Sequence, residues 1–151
     1  MNKLFSQVAE ISVSYRPAIS DKPIVITALD AYNVFIDFFP LNTIGLQESF
    51  LVMYMNHAGR VLGVYPVSIG GSTGTIVDIK LILSVGLKIV ASGMMLCHNH
   101  PSGRLKPSHQ DIEVTNKIKL AASFVDIKLL DHLIISPIEK DYYSLANEGL
   151  I

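Results

Sequence analysis

The residues of this chain best suited to chemistry lie between positions 98 and 111, in His98-Asn99-His100-Pro101-Ser102-Gly103 and then Ser108 and Asp111. As a pattern they read H-x-H, seven residues, Ser, two residues, Asp. Two imidazoles and a carboxylate can hold one zinc ion and leave its fourth position open, where water becomes a nucleophile. Residues two apart in a strand point to the same side, so His98 and His100 at a strand end converge on one ion. On an ideal helix they would point roughly 200° apart, and Pro101 disfavours a helix continuing through His100.

Asp111 has two readings. It is the third ligand candidate, brought back by the loop Pro101–Pro107. It is also the third helical position of a capping box opened by Ser108, where a carboxylate favours the helix dipole. Ser108 is in turn an N-cap, a hydrogen-bond donor to a tetrahedral oxyanion, or both. Glu48, in Gln47-Glu48-Ser49-Phe50, heads an apolar strand and by itself reads as a solvated strand end. Cys97 alternates away from the two histidines and reads as a small buried residue. His57 and His109 read as surface residues. His132, within an apolar strand, reads as a hydrogen-bonded core histidine more readily than as an outer partner of a metal ligand. Arg104 and Lys106 flank the site on its loop and read as solvated cations.

The elements that must position these groups follow from periodicity. Val8–Tyr15 alternates apolar and polar, which predicts a half-buried edge strand, and Arg16–Pro23 is a loop. Thr27 with Asp30 predicts a capped helix through Phe38, broken at Pro40–Gly45. Glu48–Met55 and Arg60–Val67 form a hairpin around Asn56–Gly59. Ser68–Thr75 is a loop. It lacks the Lys-Ser/Thr ending of a phosphate-binding loop, and Gly70–Gly74 is placed along the substrate groove. Asp78 caps a helix to about Val90, with Ile79, Ile82, Leu83, Gly86, Leu87 and Val90 inward. Gly93–Cys97 is a strand ending at the histidine pair. Ser108 opens a helix with Ile112, Ile118 and Ala122 inward, and Ile127–Ser136 is the last strand. Alternating strands and helices favour an α/β sheet with helices packed on it.

Composition narrows the classes. The chain has 151 residues, 50% hydrophobic and 17% charged. That is enough for a core, and one domain is the default. The net charge of −1 gives no general pull toward nucleic acid. The lone cysteine excludes a disulfide scaffold and any multi-cysteine metal site. The start, Met1–Gln7, carries no signal-peptide core, and no apolar run is long enough for a membrane span. A cytoplasmic protein with no membrane partner is expected.

The residues Glu48, His98, His100, Ser108 and Asp111 together resemble the JAMM signature of the JAB/MPN metalloprotease superfamily. His98-Asn99-His100-Pro101-Ser102-Gly103 with Pro107-Ser108 and Asp111 resembles its RadC branch, as do Ser68-Ile69-Gly70-Gly71, Leu130–Ile135 and Tyr142-Tyr143-Ser144. The resemblance runs from about Glu48 to the C-terminus. It implies a single-domain α/β JAB/MPN-like mixed β-sheet flanked by helices, similar to the cytidine deaminase layout. Residues 1–46 would add an edge strand and helix to the domain formed by 47–151. The residues before Glu48 do not show the helix-hairpin-helix region of full-length RadC proteins, so a stand-alone form is expected.

The resemblance also implies a function. It makes His98, His100 and Asp111 ligands of one catalytic zinc per chain, Glu48 the general base and Ser108 an oxyanion donor, in a metallopeptidase or isopeptidase acting on a peptide or protein. The alternative is a DNA-repair or mobile-element-associated binding module, supported by Arg104, Lys106 and the family's DNA-repair label. Two look-alikes are excluded. HNH nucleases spread their three residues over a long ββα-metal unit, and zinc deaminases need H-x-E with P-C-x-x-C.

Overall fold

The computed structural model describes residues 8–17, 21–71 and 76–151. Along the chain run α1 (Ala28–Ile36), β1 (Ser49–Met55), β2 (Val61–Ile69), α2 (Ile79–Lys88), β3 (Gly93–Asn99), α3 (His109–Ser123), β4 (Lys128–Ile135) and β5 (Tyr142–Ser144). The strands form one mixed sheet in the order β2-β1-β3-β4-β5. β3 and β4 are parallel and joined through α3, while the other neighbours are antiparallel.

Every residue of β1 and of β3 is buried, as expected of central strands covered on both faces. The period-two alternation then divides the core. Leu51, Met53 and Met55 pack with Cys97, Leu133 and Ile135 against Ala31, Tyr32 and Phe35 of α1. Phe50, Val52 and Tyr54 pack with Met94 and Leu96 against Ile82 of α2 and Ile118 and Ala122 of α3. The α/β class, with a mixed sheet flanked by helices, is the one expected.

The helix starts agree with the sequence reading. Thr27 caps α1 in a capping box with Asp30, Asp78 caps α2, and Ser108 caps α3 in a box with Asp111. Three expectations fail. Val8–Tyr15 is not an edge strand: it is irregular and exposed, with Ile11 at 89%. Among the described residues no strand pairs with it, and alternation without a ladder partner and a surface to bury against does not make a strand. Its side-chain tie to the sheet is the Tyr15 hydroxyl, which donates to Leu62 O at 2.6 Å.

Next, Leu87 and Val90 do not face inward; they are 50% and 82% exposed. α2 ends at Lys88 and the chain turns left-handed at Val90 (φ 54°), which throws Val90 into solvent. Ala91 N–H then bonds Gly86 O at 2.9 Å and Val90 N–H bonds Leu87 O at 3.1 Å, the two bonds of a Schellman motif. Finally, the strand from Ile127 is not the last one. Tyr142–Ser144 adds β5 antiparallel to β4, a segment too short to show an alternation in sequence. The Ser68–Thr75 loop starts later than expected, because β2 continues to Ile69, and the groove placement of Gly70–Gly74 falls largely on Ser72–Gly74, outside the described residues. Among the described residues, no helix is long and apolar enough to cross a membrane.

Candidate metal centre

Strand alternation in β3 sends Met94, Leu96 and His98 to the α2/α3 side, and Met95, Cys97 and Asn99 to the α1 side. His98 lies at the strand's last turn toward solvent but is only 1% exposed, because Phe50 of β1 stacks on it with ring centroids 5.9 Å apart. His100 lies one residue past β3, anchored by its N–H to Ile135 O at 2.9 Å. The chain reverses just beyond it. Gly103 adopts φ 80° with its N–H on His100 O, a left-handed turn that a side chain would strain. This turn returns the loop so that Ser108 can start α3 over the histidines.

The geometry at the convergence is tight. His98 Nε2 and His100 Nε2 are 3.0 Å apart. Asp111 Oδ1 lies 3.2 Å from His98 Nε2, and Asp111 Oδ2 lies 3.4 Å from His100 Nε2. Glu48 Oε1 lies 3.8 and 3.9 Å from the same two nitrogens. Glu48, His98 and His100 offer ligand atoms all within 4.8 Å of one another, close enough to hold a metal ion. Ligands at zinc distances on a tetrahedron stand about 3.3 Å apart, and the His–His and His–Asp111 spacings bracket that value. The donor set of two imidazoles and carboxylates suits zinc.

The electrostatics fit the packing. Burial works to raise the Asp111 carboxyl, but the close contacts of His100 and His98, the charge of His98 and the Ser108 hydroxyl hold it well below the usual carboxylate range. The bond to Asp111 raises His100 above its ordinary value. The capping box and the pair of histidines share Asp111. Ser108 N–H and O–H donate to Asp111 Oδ2 at 2.6 and 2.7 Å, and Asp111 N–H donates to Ser108 Oγ at 3.1 Å. Asp111 therefore both caps α3 and faces the two imidazoles.

Asn99 escapes sequence reasoning, and His132 meets both of the readings given for it. Asn99, fully buried, faces away from the histidines and clamps the backbone on both sides of Glu48. Its Oδ1 accepts from Ser49 N–H at 2.7 Å, and its Nδ2 donates to Gln47 O at 2.8 Å and to Ile44 O at 2.7 Å. Only the letter between two histidines signals it. His132, also fully buried, is the hydrogen-bonded core histidine expected, and its partner is a candidate ligand, His98: Nε2 lies 2.7 Å from His98 Nδ1. Burial, followed by the nearby His98, pushes His132 well below its ordinary pKa, so it is neutral.

The remaining candidates fall where expected. Cys97 is fully buried, with its thiol pushed up by burial. His57 is exposed, and His109 pairs with Glu113 one helical turn on, at 3.2 Å at the surface. Arg104 and Lys106 are exposed and line the groove of about 770 Å³ that opens onto Glu48, His98, His100 and Asp111.

The profile of the RadC-like JAB domain matches residues 26–150. The chain belongs to the RadC-like JAB domain family. Its relatives include a UPF0758 protein of Flavobacterium johnsoniae, 48% identical over 104 residues that make up 69% of this chain and 44% of that protein. A UPF0758 protein of Porphyromonas gingivalis is 39% identical over 70% of this chain and 46% of its own length, and one of Aquifex aeolicus is 35% identical over 70% and 45%. The matched part of this RadC-like JAB chain thus spans less than half the length of these relatives, whose shared name states no activity.

Proposed function

We propose that this RadC-like JAB domain is a zinc-dependent hydrolase of peptide or isopeptide bonds. The observation that carries the reading is the meeting of Glu48, His98, His100 and Asp111 at the floor of an open groove. His98, His100 and Asp111, at tetrahedral-edge spacing, are the ligands. Glu48, about half an ångström farther out, is the general base. Bound zinc supplies a Lewis acid and lowers the pKa of water to about 7.

The chain's own groups do the rest. Glu48 takes the proton of the attacking water and delivers it to the leaving amine. Ser108 O–H turns from Asp111 Oδ2 to the oxyanion. Asp111 Oδ2 keeps the Ser108 N–H at 2.6 Å when the hydroxyl leaves, so the cap survives the donation. Phe50 screens the inner side of His98 from water.

Metal analysis of the purified protein tests the site first, with about one zinc per chain expected and loss of metal on substituting His98, His100 or Asp111. Glu48→Gln is expected to keep zinc and abolish turnover, and it serves as the trap in an unbiased proteolysis screen for the substrate. Full activity in Glu48→Gln would remove Glu48 from the mechanism. A second reading, a nucleic-acid-binding module, rests on Arg104 and Lys106 lining the same groove. It requires a DNA affinity that falls steeply with salt, and absence of binding at low salt ends it.

A further inference from the structure

We propose that Thr115 and His132 are positioning residues that form a buried relay from the backbone of Asp111 to His98, presetting His98 as a metal ligand through Nε2. This inference rests on the reading of His98 and Asp111 as zinc ligands. The direction of the relay is forced at one end. Thr115 Oγ1 lies against the carbonyl oxygen of Asp111 at 2.5 Å and against His132 Nδ1 at 2.6 Å. A carbonyl only accepts, so the single hydroxyl proton of Thr115 goes to Asp111 O. Thr115 Oγ1 must then accept from His132 Nδ1–H. His132 is fully buried, and its ring nitrogens meet only Thr115 and His98, with no carboxylate to hold a second proton; with its one proton on Nδ1 its lone pair is on Nε2, 2.7 Å from His98 Nδ1, so His98 must donate from Nδ1. That leaves His98 Nε2 as the nitrogen directed at His100 Nε2 and Asp111 Oδ1.

Burial makes the order strict. Thr115 and His132 are 0% exposed and His98 is 1% exposed, so no water substitutes for a missing partner and each unmade bond costs its full desolvation. Phe50 closes the remaining side, stacked on His98 and edge-on to His132 with centroids 5.5 Å apart. The relay also joins three elements. β4 supplies His132, β3 supplies His98, and α3 supplies Thr115 together with Asp111 one turn earlier. Asp111 thereby contributes its carboxylate to the site and its carbonyl to the relay, so the first turn of α3 and the end of β3 are held in one register. His100 is oriented by a separate contact, with Nδ1–H donated to Arg104 O.

The test uses ring-nitrogen NMR of the metal-free chain, and zinc affinity from chelator competition, in wild type, Thr115→Val and Thr115→Ser. In wild type His132 is expected protonated at Nδ1 and bare at Nε2, with His98 protonated at Nδ1. Thr115→Val keeps the shape and removes the hydroxyl. It should mix the His132 tautomers and weaken zinc binding about 10-fold or more, with the dispersion of a folded spectrum retained. Thr115→Ser should restore both. If wild-type His132 carries its proton on Nε2, or folded Thr115→Val binds zinc within twofold of wild type, the relay is wrong. If wild type binds no zinc, the proposed function fails while the tautomers still decide the relay.

Discussion

Asn99 stands between two candidate ligands and serves neither, since its amide spends all three of its bonds on the backbone around Glu48. Removing a buried partner leaves each facing group unsatisfied at about 1–3 kcal/mol apiece. Asn99→Ala, which orphans Ser49 N–H, Gln47 O and Ile44 O, is expected to cost about 3 kcal/mol or more, read as a lowered urea midpoint. A loss under about 1 kcal/mol would mean that the clamp is not needed to hold the start of β1. At this scale the site is a set of shared groups: Asp111 caps a helix, faces two imidazoles and anchors Thr115.

The elements carry their own tests. Val90 occupies the left-handed C′ position of the Schellman motif after α2, a position suited to Gly, with its side chain 82% exposed. The left-handed conformation costs an L residue about 1–2 kcal/mol, and a glycine gives back about 0.5–1 kcal/mol in chain entropy. Val90→Gly is therefore expected to stabilise the protein by about 0.5–1 kcal/mol and to raise the melting temperature by about 2 °C; a lower melting temperature would contradict this. At the other end of the fold, backbone hydrogen bonds from Thr27, then its hydroxyl and Ile26 N–H, lower the Asp30 carboxyl below 3.8. A depressed carboxylate contributes stability that is present above the unfolded value and lost as pH falls through the folded one. The stability difference between wild type and Asp30→Asn should therefore be present at neutral pH and disappear on acidification below about 3.8. A difference that persists at pH 2 would show that the box does not act through the carboxylate charge.

For the whole molecule, the proposed ligands lie on the sheet and on α3, so an ion that binds only the folded chain would stabilise it by mass action. Free zinc at about 100 times its dissociation constant contributes about 2.7 kcal/mol, or a rise of about 5–10 °C in melting temperature for a chain of this size. The rise should be reversed by a chelator and absent in His98→Ala. A wild-type melting curve unmoved by zinc would count against a folded-state zinc site. In the same architecture His98 is held from behind by β4 and Asp111 by α3, while residues of the loop Pro101–Pro107 line the groove.

Local chemistry made much of this legible in the residues themselves. Thr27-Asp30, Asp78 and Ser108-Asp111 announce helix starts because caps act within one turn. The strand read over Gly93–Cys97, running into His98, announces that His98 and Cys97 face opposite sides, because a strand has a period of two. The H-x-H spacing with Asp111 names a site because neighbours in sequence place the donors. The same local logic failed for Val8–Tyr15 and for Val90, where pairing and a reversal of hand decide exposure. Only the tertiary structure sets Glu48 50 residues away beside His98, through the antiparallel register of Phe50 with His98 and the Asn99 clamp. Only the parallel pairing of β3 with β4 puts His132 behind His98. A hydrogen bond is a contact between surfaces that folding brings together, and a sequence records such contacts most directly where the partners lie close along the chain.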